Sequence, residues 1–383
     1  MSEYQYYEFR AIDRPLDRAA QEALRSISSR ARITATSFTN HYDWGDFSGD
    51  PRKLMEQWFD LHLYLANWGT RRLMLRVPKR FLDREDIAPF LAEVDWVEAW
   101  ASADNLIVDI HQDNDGLGDD WFDDDDEEDD DGSHWLAALA PLRADVLSGD
   151  LRLFYLLWLT AVRDDLVSDD AFEPLPGIGP LTGALEAFAG FFGVDRDLIQ
   201  AAAERNASDA GVSTDQMREA LAALAEVEKT ELLLRLVEGD GHVASELKRK
   251  IRREHPAPPA PYRTVAALRM RARQIGEERE RAVAEGLEAE KRRQAEEAEK
   301  ARRARLEDIK QKGARVWREI EQEIERRNPR GYDRAASLLA DLQVIAVEAG
   351  TDDEFAYRVA DICVRHKNKG NFIEQLAKLG LRR

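Results

Sequence analysis

The sequence predicts an α+β protein: a two-layer N-terminal domain, loosely ferredoxin-like, followed by all-α domains and a long charged helix. Three observations carry this prediction. Residues 3–112 show strand and helix patterns in the order β-α-β-α-β-β, residues 134–254 are helical in pattern throughout, and residues 264–327 are rich in both Glu and Arg. Strands and helices packed in two layers, with helices segregated further along the chain, are typical of the α+β class.

The N-terminal domain, residues 1–112, begins with a strand pattern. Glu3–Ile12 is rich in Tyr and Phe, and Arg32–Phe38 is rich in β-branched residues, so each predicts a strand. Between them, Pro15 precedes apolar residues that recur at helical spacing up to Ile27. This spacing predicts an amphipathic helix with its proline in the first turn.

A second helix should start at Asp50-Pro51, because an N-cap aspartate followed by proline is a common helix start. The apolar residues that keep its helical spacing are Leu54, Trp58, Leu61, Leu65 and Trp68. Alternating Leu73, Leu75 and Val77 then predict a strand. Two further apolar stretches, 97–100 and 106–110, predict a hairpin around residues 103–105.

Residues 113–133 form the most acidic stretch, with 13 carboxylates between Asp113 and Asp131 and no Lys or Arg. A calcium loop starting at residue 111 fails, because His111 and Phe122 occupy its first and twelfth positions, where oxygen ligands are required. Adjacent carboxylates repel one another and stay hydrated, so we predict a disordered tether. Trp121, Phe122, Asp123 and Asp124 leave open a second interpretation, in which the stretch docks on a basic partner.

Residues 134–254 should form a helical domain around a buried helix at Leu151–Val162, which is apolar on nearly every face. A Pro-rich linker follows at 255–263, because "HPAPPAPY" cannot hold a helix. Residues 264–327 predict a long charged helix with Glu-to-Arg or Glu-to-Lys pairs four residues apart. From 288 to 305 this helix has no large apolar residue, which favours a solvated spacer over a coiled coil.

A small helical tail is predicted for residues 328–383, with helices at 333–348, 352–366 and 371–379. Its segments "YDRAASLLADLQVIAVEAG" and "DDEFAYRVADICVRHKNKGNFIEQLAKLGL" carry a YxxA-LL-DL helix, an F-x-x-R, an Arg-His-Lys turn and a closing L-x-x-x-GL. Residues 263–381 resemble the helical tail of bacterial SWIM zinc-finger-associated proteins. The N-terminal "YQYYEF" and "YDWGDF" resemble an uncharacterised bacterial family.

The resemblance implies an assembly related to nucleic-acid processing, but it does not imply a zinc site. A SWIM finger needs three cysteines and a histidine, and this chain has the single cysteine Cys363. No cofactor is therefore expected. Nucleic acid could be bound weakly through the basic residues of the tail, which are Arg365, His366, Lys367, Lys369, Lys378, Arg382 and Arg383.

The remaining motifs give little indication of a catalytic or binding site. The chain lacks G-x-S-x-G, P-loop, dinucleotide-binding and H-E-x-x-H motifs. His41, Asp43, Asp46 and Asp50 precede a helix and could hold a divalent cation, although turn-forming residues and a helix cap explain them as well. An unrecognised catalytic site around His41, Asp43 and Asp46 is a further alternative. Gly177-Ile178-Gly179 resembles the turn of a helix-hairpin-helix DNA-binding module, and a plain helix-start turn also fits it.

The leading hypothesis is a non-enzymatic interaction or scaffold protein with an unknown protein partner. The net charge of −20 argues against nucleic-acid binding through the overall field. No secretory signal precedes the first strand, and the most apolar run is about half the length that spans a bilayer, so we expect a cytoplasmic protein without a membrane contact. A nucleic-acid-associated accessory protein and an enzyme around His41 are the alternatives.

Overall fold

The computed structural model describes residues 4–45, 47–113, 132, 134–205, 214–254 and 261–380. Within these ranges one antiparallel sheet precedes a series of helices, which confirms the α+β class. The sheet has the order β2-β3-β1-β4-β5-β7-β6. Its strands are β1 (Gln5–Arg10), β2 (Arg32–Ile33), β3 (Ser37–Tyr42), β4 (Leu61–Ala66), β5 (Arg71–Pro78), β6 (Val97–Ser102) and β7 (Asn105–Gln112).

The chain divides into two compact units, residues 1–278 and 279–383. The helices that lie wholly in the first unit are α1 (Arg18–Ile27), α2 (Pro51–Gln57), α3 (Arg84–Leu91), α4 (Trp135–Leu139), α5 (Pro141–Leu147), α6 (Arg152–Arg163), α7 (Gly183–Phe191), α8 (Arg196–Ala203), α9 (Thr214–Ala223), α10 (Glu226–Val237) and α11 (Val243–Glu254). Helix α12 (Val265–Lys312) begins in the first unit and ends in the second. The second unit continues with α13 (Ala314–Glu325), α14 (Pro329–Ala349), α15 (Asp352–Arg365) and α16 (Gly370–Lys378).

Both faces of the sheet are covered by helices. Side chains of successive strand residues point to opposite faces, so each face contributes its own set of core residues. On one face, Phe9 and Met74 pack against α1 and α2. On the other, Leu63, Leu73 and Val108 share a core with α3 and with the helices from α4 to α8. These later helices therefore add a third layer to the predicted two.

The predicted central helix is confirmed in α6, where every residue from Arg152 to Val162 is buried. The β6–β7 hairpin is also confirmed, and Ala103 takes a positive φ of 47° in its turn. Asp50 caps α2, with Pro51 in the first helical position, as predicted.

The predicted second helix was wrong beyond Gln57. Residues 61–66 form β4, which pairs with β1 and β5. Leu61, Leu63 and Leu65 alternate and face the core, so they satisfy a strand period as well as the helical spacing that included Leu61 and Leu65. The sheet offers backbone partners on both sides, and this decides between the two periods.

Three smaller predictions also need correction. Pro15 lies before the N-cap Asp17 rather than inside the first turn of α1. The predicted strand over 32–38 is divided into β2 and β3, with residues 34–36 between them. The predicted helix over 264–327 ends at Lys312 and resumes at Ala314, because Gly313 takes a positive φ of 50°.

A buried cluster fixes the start of α12. The Tyr155 hydroxyl donates to Glu173 Oε2 over 2.8 Å, and the Arg263 Nη2 donates to the same oxygen over 2.9 Å. The backbone bridge between Phe172 and Thr264 lies beside this cluster. Burial and the Glu173 carboxylate raise the pKa of the Tyr155 phenol well above its ordinary value, so the phenol remains a donor.

The second unit has its own core, in which Val316, Ile320 and Ile324 of α13 pack with Leu339 of α14 and Phe372 of α16. Along α12, side chains 277–289 and 291–305 are exposed, as the lack of large apolar residues over 288–305 predicts. Arg303 and Glu299 form one of the predicted pairs, at 2.9 Å.

Candidate functional site

A cleft of about 1140 Å³ opens in the first unit at one end of the sheet. Its walls come from the β1–α1 loop, the end of β5, the β6–β7 turn, α5 and the α10–α11 turn. Large concave sites with convergent polar groups are the usual places for ligand binding. The charged residues that organise this cleft are Asp13, Arg76, Arg80, Arg143, Arg235, Asp240 and His242.

Asp13 lies at the centre of the cleft and joins two of its walls. Its Oδ2 accepts a hydrogen bond from Arg143 Nη2 over 2.6 Å, and His242 Nε2 lies 3.2 Å from the same oxygen. Burial opposes the charged form of Asp13, but the hydrogen bonds from His242 and Arg143 outweigh burial and hold the pKa of this carboxyl well below its ordinary value. Asp13 is therefore an anion at neutral pH.

Asp60, fully buried, fixes the loop that carries Asp13. Its Oδ2 accepts from the backbone N–H groups of Ile12 over 2.6 Å and of Asp13 over 2.9 Å. Its Oδ1 accepts from Arg76 Nη2 over 2.8 Å, while Arg143 Nη2 lies 3.6 Å away. Two arginines and two backbone N–H groups thus satisfy one buried carboxylate, as burial of a charge requires.

The rim of the cleft is held by a second set of charged groups. Arg235 Nη2 donates to Asp240 Oδ2 over 2.7 Å and to Glu246 Oε2 over 2.8 Å. These hydrogen bonds lower the pKa of both carboxyls. The Arg80 guanidinium lies 4.9 Å from the centroid of the Phe81 ring and 3.9 Å from Asp240. The Arg235 contacts therefore hold the α10–α11 turn together, and Arg80 links this turn to the end of β5.

The charged side chains of the cleft are paired with one another. Asp13 is bound by Arg143 and His242, and Asp60 is bound by Arg76. A carboxyl whose pKa lies well below its ordinary range, as that of Asp13 does, is a weak proton acceptor at neutral pH. Among the described residues no group of three metal-ligating side chains comes together. This arrangement suits binding of a polar surface better than proton transfer.

The tail residues predicted to contact nucleic acid are partly engaged within the second unit. Arg365 Nη1 lies 2.6 Å from Glu321 Oε1, and His366 Nε2 lies 2.7 Å from the other oxygen of the same carboxylate. Lys369 donates to the backbone carbonyl of Ile324, at the end of α13, over 3.0 Å. These three side chains connect α15 and α16 to α13, so their charged groups are engaged in contacts between helices.

The other predicted contacts are more open or lie elsewhere. Lys367 and Lys378 are both exposed in the second unit. Arg382 and Arg383 lie outside the described residues, and so do the docking candidates Trp121, Phe122, Asp123 and Asp124. The predicted tether, residues 113–133, and the Pro-rich linker fall mostly outside the described ranges as well.

The structure does not assemble a site from His41 and Asp43. Both side chains are exposed at the end of β3, and no hydrogen bond or ion pair joins them within the described part of the chain. Asp46 lies outside that part. In the Gly177–Gly179 turn, which resembles a DNA-binding turn, the backbone N–H of Gly179 is already engaged, because it donates to the carbonyl of Arg205 over 2.9 Å.

Sequence reasoning missed the surface of α10. Its inner side packs toward α11, where Glu228 pairs with Lys250 and Arg235 pairs with Glu246. The opposite side is apolar and solvent-exposed, which reverses the usual orientation of an amphipathic helix. We call it the α10 outer face; its apolar members and their exposed fractions are Val227 (82%), Leu233 (61%), Leu234 (51%) and Val237 (85%).

The α10 outer face forms one stripe, because Val237 lies three residues after Leu234 and four after Leu233, and Val227 lies seven residues, or about two turns, before Leu234. The run "ELLLRLV" predicts a helix but carries no signal that its apolar side is left uncovered. Residues of α10 and of the turn after it, including Arg235 and Glu238, also line the charged cleft. The stripe and the cleft are therefore neighbouring features of one structural element.

Comparison with known proteins adds no assignment: no family model, curated protein or solved structure matches this chain. None of the helices in the described ranges combines the length and the apolar character needed to cross a bilayer.

Proposed function

We propose that this chain is a non-enzymatic interaction protein of the bacterial cytoplasm, and that it binds a protein partner through the α10 outer face. The observation that carries the proposal is the reversed orientation of α10: charged residues such as Arg235 face inward, and large apolar residues such as Val237 face solvent. A contiguous exposed apolar surface is costly in water and is characteristic of interaction sites.

The neighbouring cleft supports binding rather than catalysis. Its central carboxylate, Asp13, is engaged by Arg143 and His242. These contacts attach the α10–α11 turn to the sheet, so α10 is presented on a framework fixed before a partner arrives. Pre-organised surfaces lose less conformational entropy on binding.

Capture from a cell lysate with the full-length protein tests the proposal. The test variant is Leu233→Asn/Leu234→Asn, and the matched control is Val347→Asn/Val364→Asn, which alters two exposed residues of the second unit (62% and 70% exposed). Burying a leucine contributes about 1.5–3 kcal/mol. We therefore expect the first variant to lose a protein that the wild type and the control both retain.

Nuclease treatment of a parallel lysate separates the nucleic-acid alternative. If all three proteins retain the same polypeptides, the α10 outer face is not the interaction site. If the only retained species is nucleic acid, which disappears with salt and nuclease, the accessory-protein alternative replaces the proposal. Circular dichroism of each variant shows whether it is folded.

Binding through the basic tail remains a prediction of the resemblance. Among the predicted contacts in the described ranges, Lys367, Lys378 and Arg365 are exposed, but Arg365 shares Glu321 with His366. Two exposed lysines would give a weak interaction that decreases steeply with salt. A salt titration with labelled single-stranded DNA measures it directly.

A further inference from the structure

We infer that the partner of the α10 outer face is a basic amphipathic helix, whose apolar side chains contact Leu233 and Leu234 and whose Lys or Arg residues lie beside Glu231 and Glu238. This inference rests on the proposed function and specifies the chemistry of the partner. It follows from three properties of α10: the charges at its border, its length and the fixed position of its inner side.

The border of the α10 outer face is acidic. Glu226 is paired with Lys229 at 2.9 Å, which neutralises one carboxylate. Glu231 and Glu238 are exposed, and no hydrogen bond or ion pair to either side chain occurs among the described residues. Complementary charges around an apolar contact determine partner choice and raise the association rate. Two uncompensated carboxylates therefore favour a partner with basic residues at the same positions.

The length of the α10 outer face matches a short helix. Val227 to Val237 spans about 15 Å, since an α-helix rises about 1.5 Å per residue. A stripe of this length contacts three turns of a partner helix, the arrangement in which anchors recur three, four and seven residues apart.

The charge of the border disfavours a second copy of the chain as the partner of the α10 outer face. Two copies meeting through this stripe would bring Glu231 and Glu238 of one molecule near the same carboxylates of the other. Like charges at an interface cost free energy and suppress a pairing. A helix with lysines at these positions would instead form charge-assisted contacts.

The inner side of α10 is already occupied, so the outer face is the side available to a partner. Glu228 pairs with Lys250, and Arg235 bonds to both Asp240 and Glu246. These contacts set the rotation of the helix about its axis. The stripe therefore points to solvent without any rearrangement.

Two designed helical peptides of about four turns test the inference. Both carry the same leucine stripe; one is bordered by lysine and the other by glutamate. Their affinities for the full-length protein are measured by fluorescence anisotropy at moderate salt. We expect the lysine peptide to bind at least about tenfold more tightly, which corresponds to about 1.4 kcal/mol.

Three variants decide the origin of this preference. Leu233→Asn/Leu234→Asn and Glu231→Lys/Glu238→Lys should each weaken binding of the lysine peptide by about tenfold or more. The control Glu288→Lys/Glu297→Lys changes the net charge by the same amount on the exposed part of α12 and should have no such effect.

The possible failures are distinguishable. If the leucine variant weakens both peptides and Glu231→Lys/Glu238→Lys leaves both affinities unchanged, the interaction face stands and the basic partner is wrong. If the leucine variant changes nothing, the inference and the proposed function both fail. Sedimentation velocity gives the remaining outcome: a wild-type dimer that the leucine variant dissociates would make a second copy the occupant and overturn the inference.

Discussion

Replacing Glu173 by Gln should lower the free energy of unfolding of the first unit by more than the loss of an exposed ion pair would. Glu173 is 2% exposed and accepts hydrogen bonds from Tyr155 and Arg263. The substitution leaves the Arg263 guanidinium, whose side chain is 10% exposed, without its anionic partner. Removing one member of a buried pair costs about 3–5 kcal/mol, because the other charge remains desolvated.

An exposed pair near the same segment offers a matched control. Arg271 of α12 pairs with Glu204 at 2.6 Å, but both side chains are more than one-third exposed. Water and salt screen such a pair, so Glu204→Gln should cost less than about 1 kcal/mol. Both substitutions convert the glutamate partner of an arginine into the isosteric amide, and they differ mainly in burial.

Urea denaturation followed by tryptophan fluorescence measures both variants. Eight of the nine tryptophans precede residue 279, so the signal reports largely on the first unit. At about 2–4 °C per kcal/mol, Glu173→Gln should also lower the melting temperature by roughly 6–20 °C. Equal losses for the two variants, or a loss below about 1 kcal/mol for Glu173→Gln, would refute the argument from burial.

Two further predictions concern the cleft and the second unit. Asp13→Asn should destabilise the protein by about 1.5–3 kcal/mol at pH 7, since hydrogen bonds to a charged group are lost. The pKa of Asp13 is lower in the folded state than in the unfolded state, so this stability is complete above the unfolded value of about 3.9 and is lost as the pH falls below it. The difference in unfolding free energy between the wild type and Asp13→Asn should therefore be the same at pH 7 and pH 5 and smaller at pH 3, and a larger difference at pH 3 would contradict the reasoning. Gly331→Ala should loosen the α13–α14 contact, because an added Cβ would lie 2.5 Å from the Glu323 carbonyl oxygen, whereas Gly370 has nothing within 4 Å. Hydrogen exchange over residues 314–349 should accelerate in the first variant and not in Gly370→Ala; equal exchange would count against the steric reasoning.

The sequence was informative where one local pattern had one interpretation. Asp50-Pro51 predicted a helix start, and the continuous apolar run before Val162 predicted a buried helix. It failed where a pattern had two interpretations. Leu61 and Leu65 fit a helix and a strand equally well, and only pairing with β1 and β5 decides between them.

The candidate site was not predictable from local patterns. Asp13 and His242 are 229 positions apart in the chain and meet only after the α10–α11 turn packs on the sheet. The orientation of α10 has the same origin, because Leu233 and Leu234 would fit a buried stripe equally well. In the tail, Glu321 pairs with Arg365 through a contact between helices, so a basic sequence is not the same as a free basic surface.

The two-sided sheet has a consequence for biosynthesis. The sheet is complete once Gln112 has been made, but the helices α4 to α8, which complete the cover of its second face, extend to Ala203. Translation of about 90 residues at about 5–20 residues per second takes on the order of 5–18 s. During that interval Leu63, Leu73 and Val108 belong to an apolar face that only α3 partly covers, and such faces promote aggregation between nascent chains.

The acidic run is made during the same interval. Its 13 carboxylates follow the last strand directly and precede the first helix of the missing layer, which begins at Trp135. High net charge keeps chains apart by mutual repulsion. In the growing polypeptide, each incompletely covered sheet is therefore joined to a strongly negative segment before helices α4 to α8 exist.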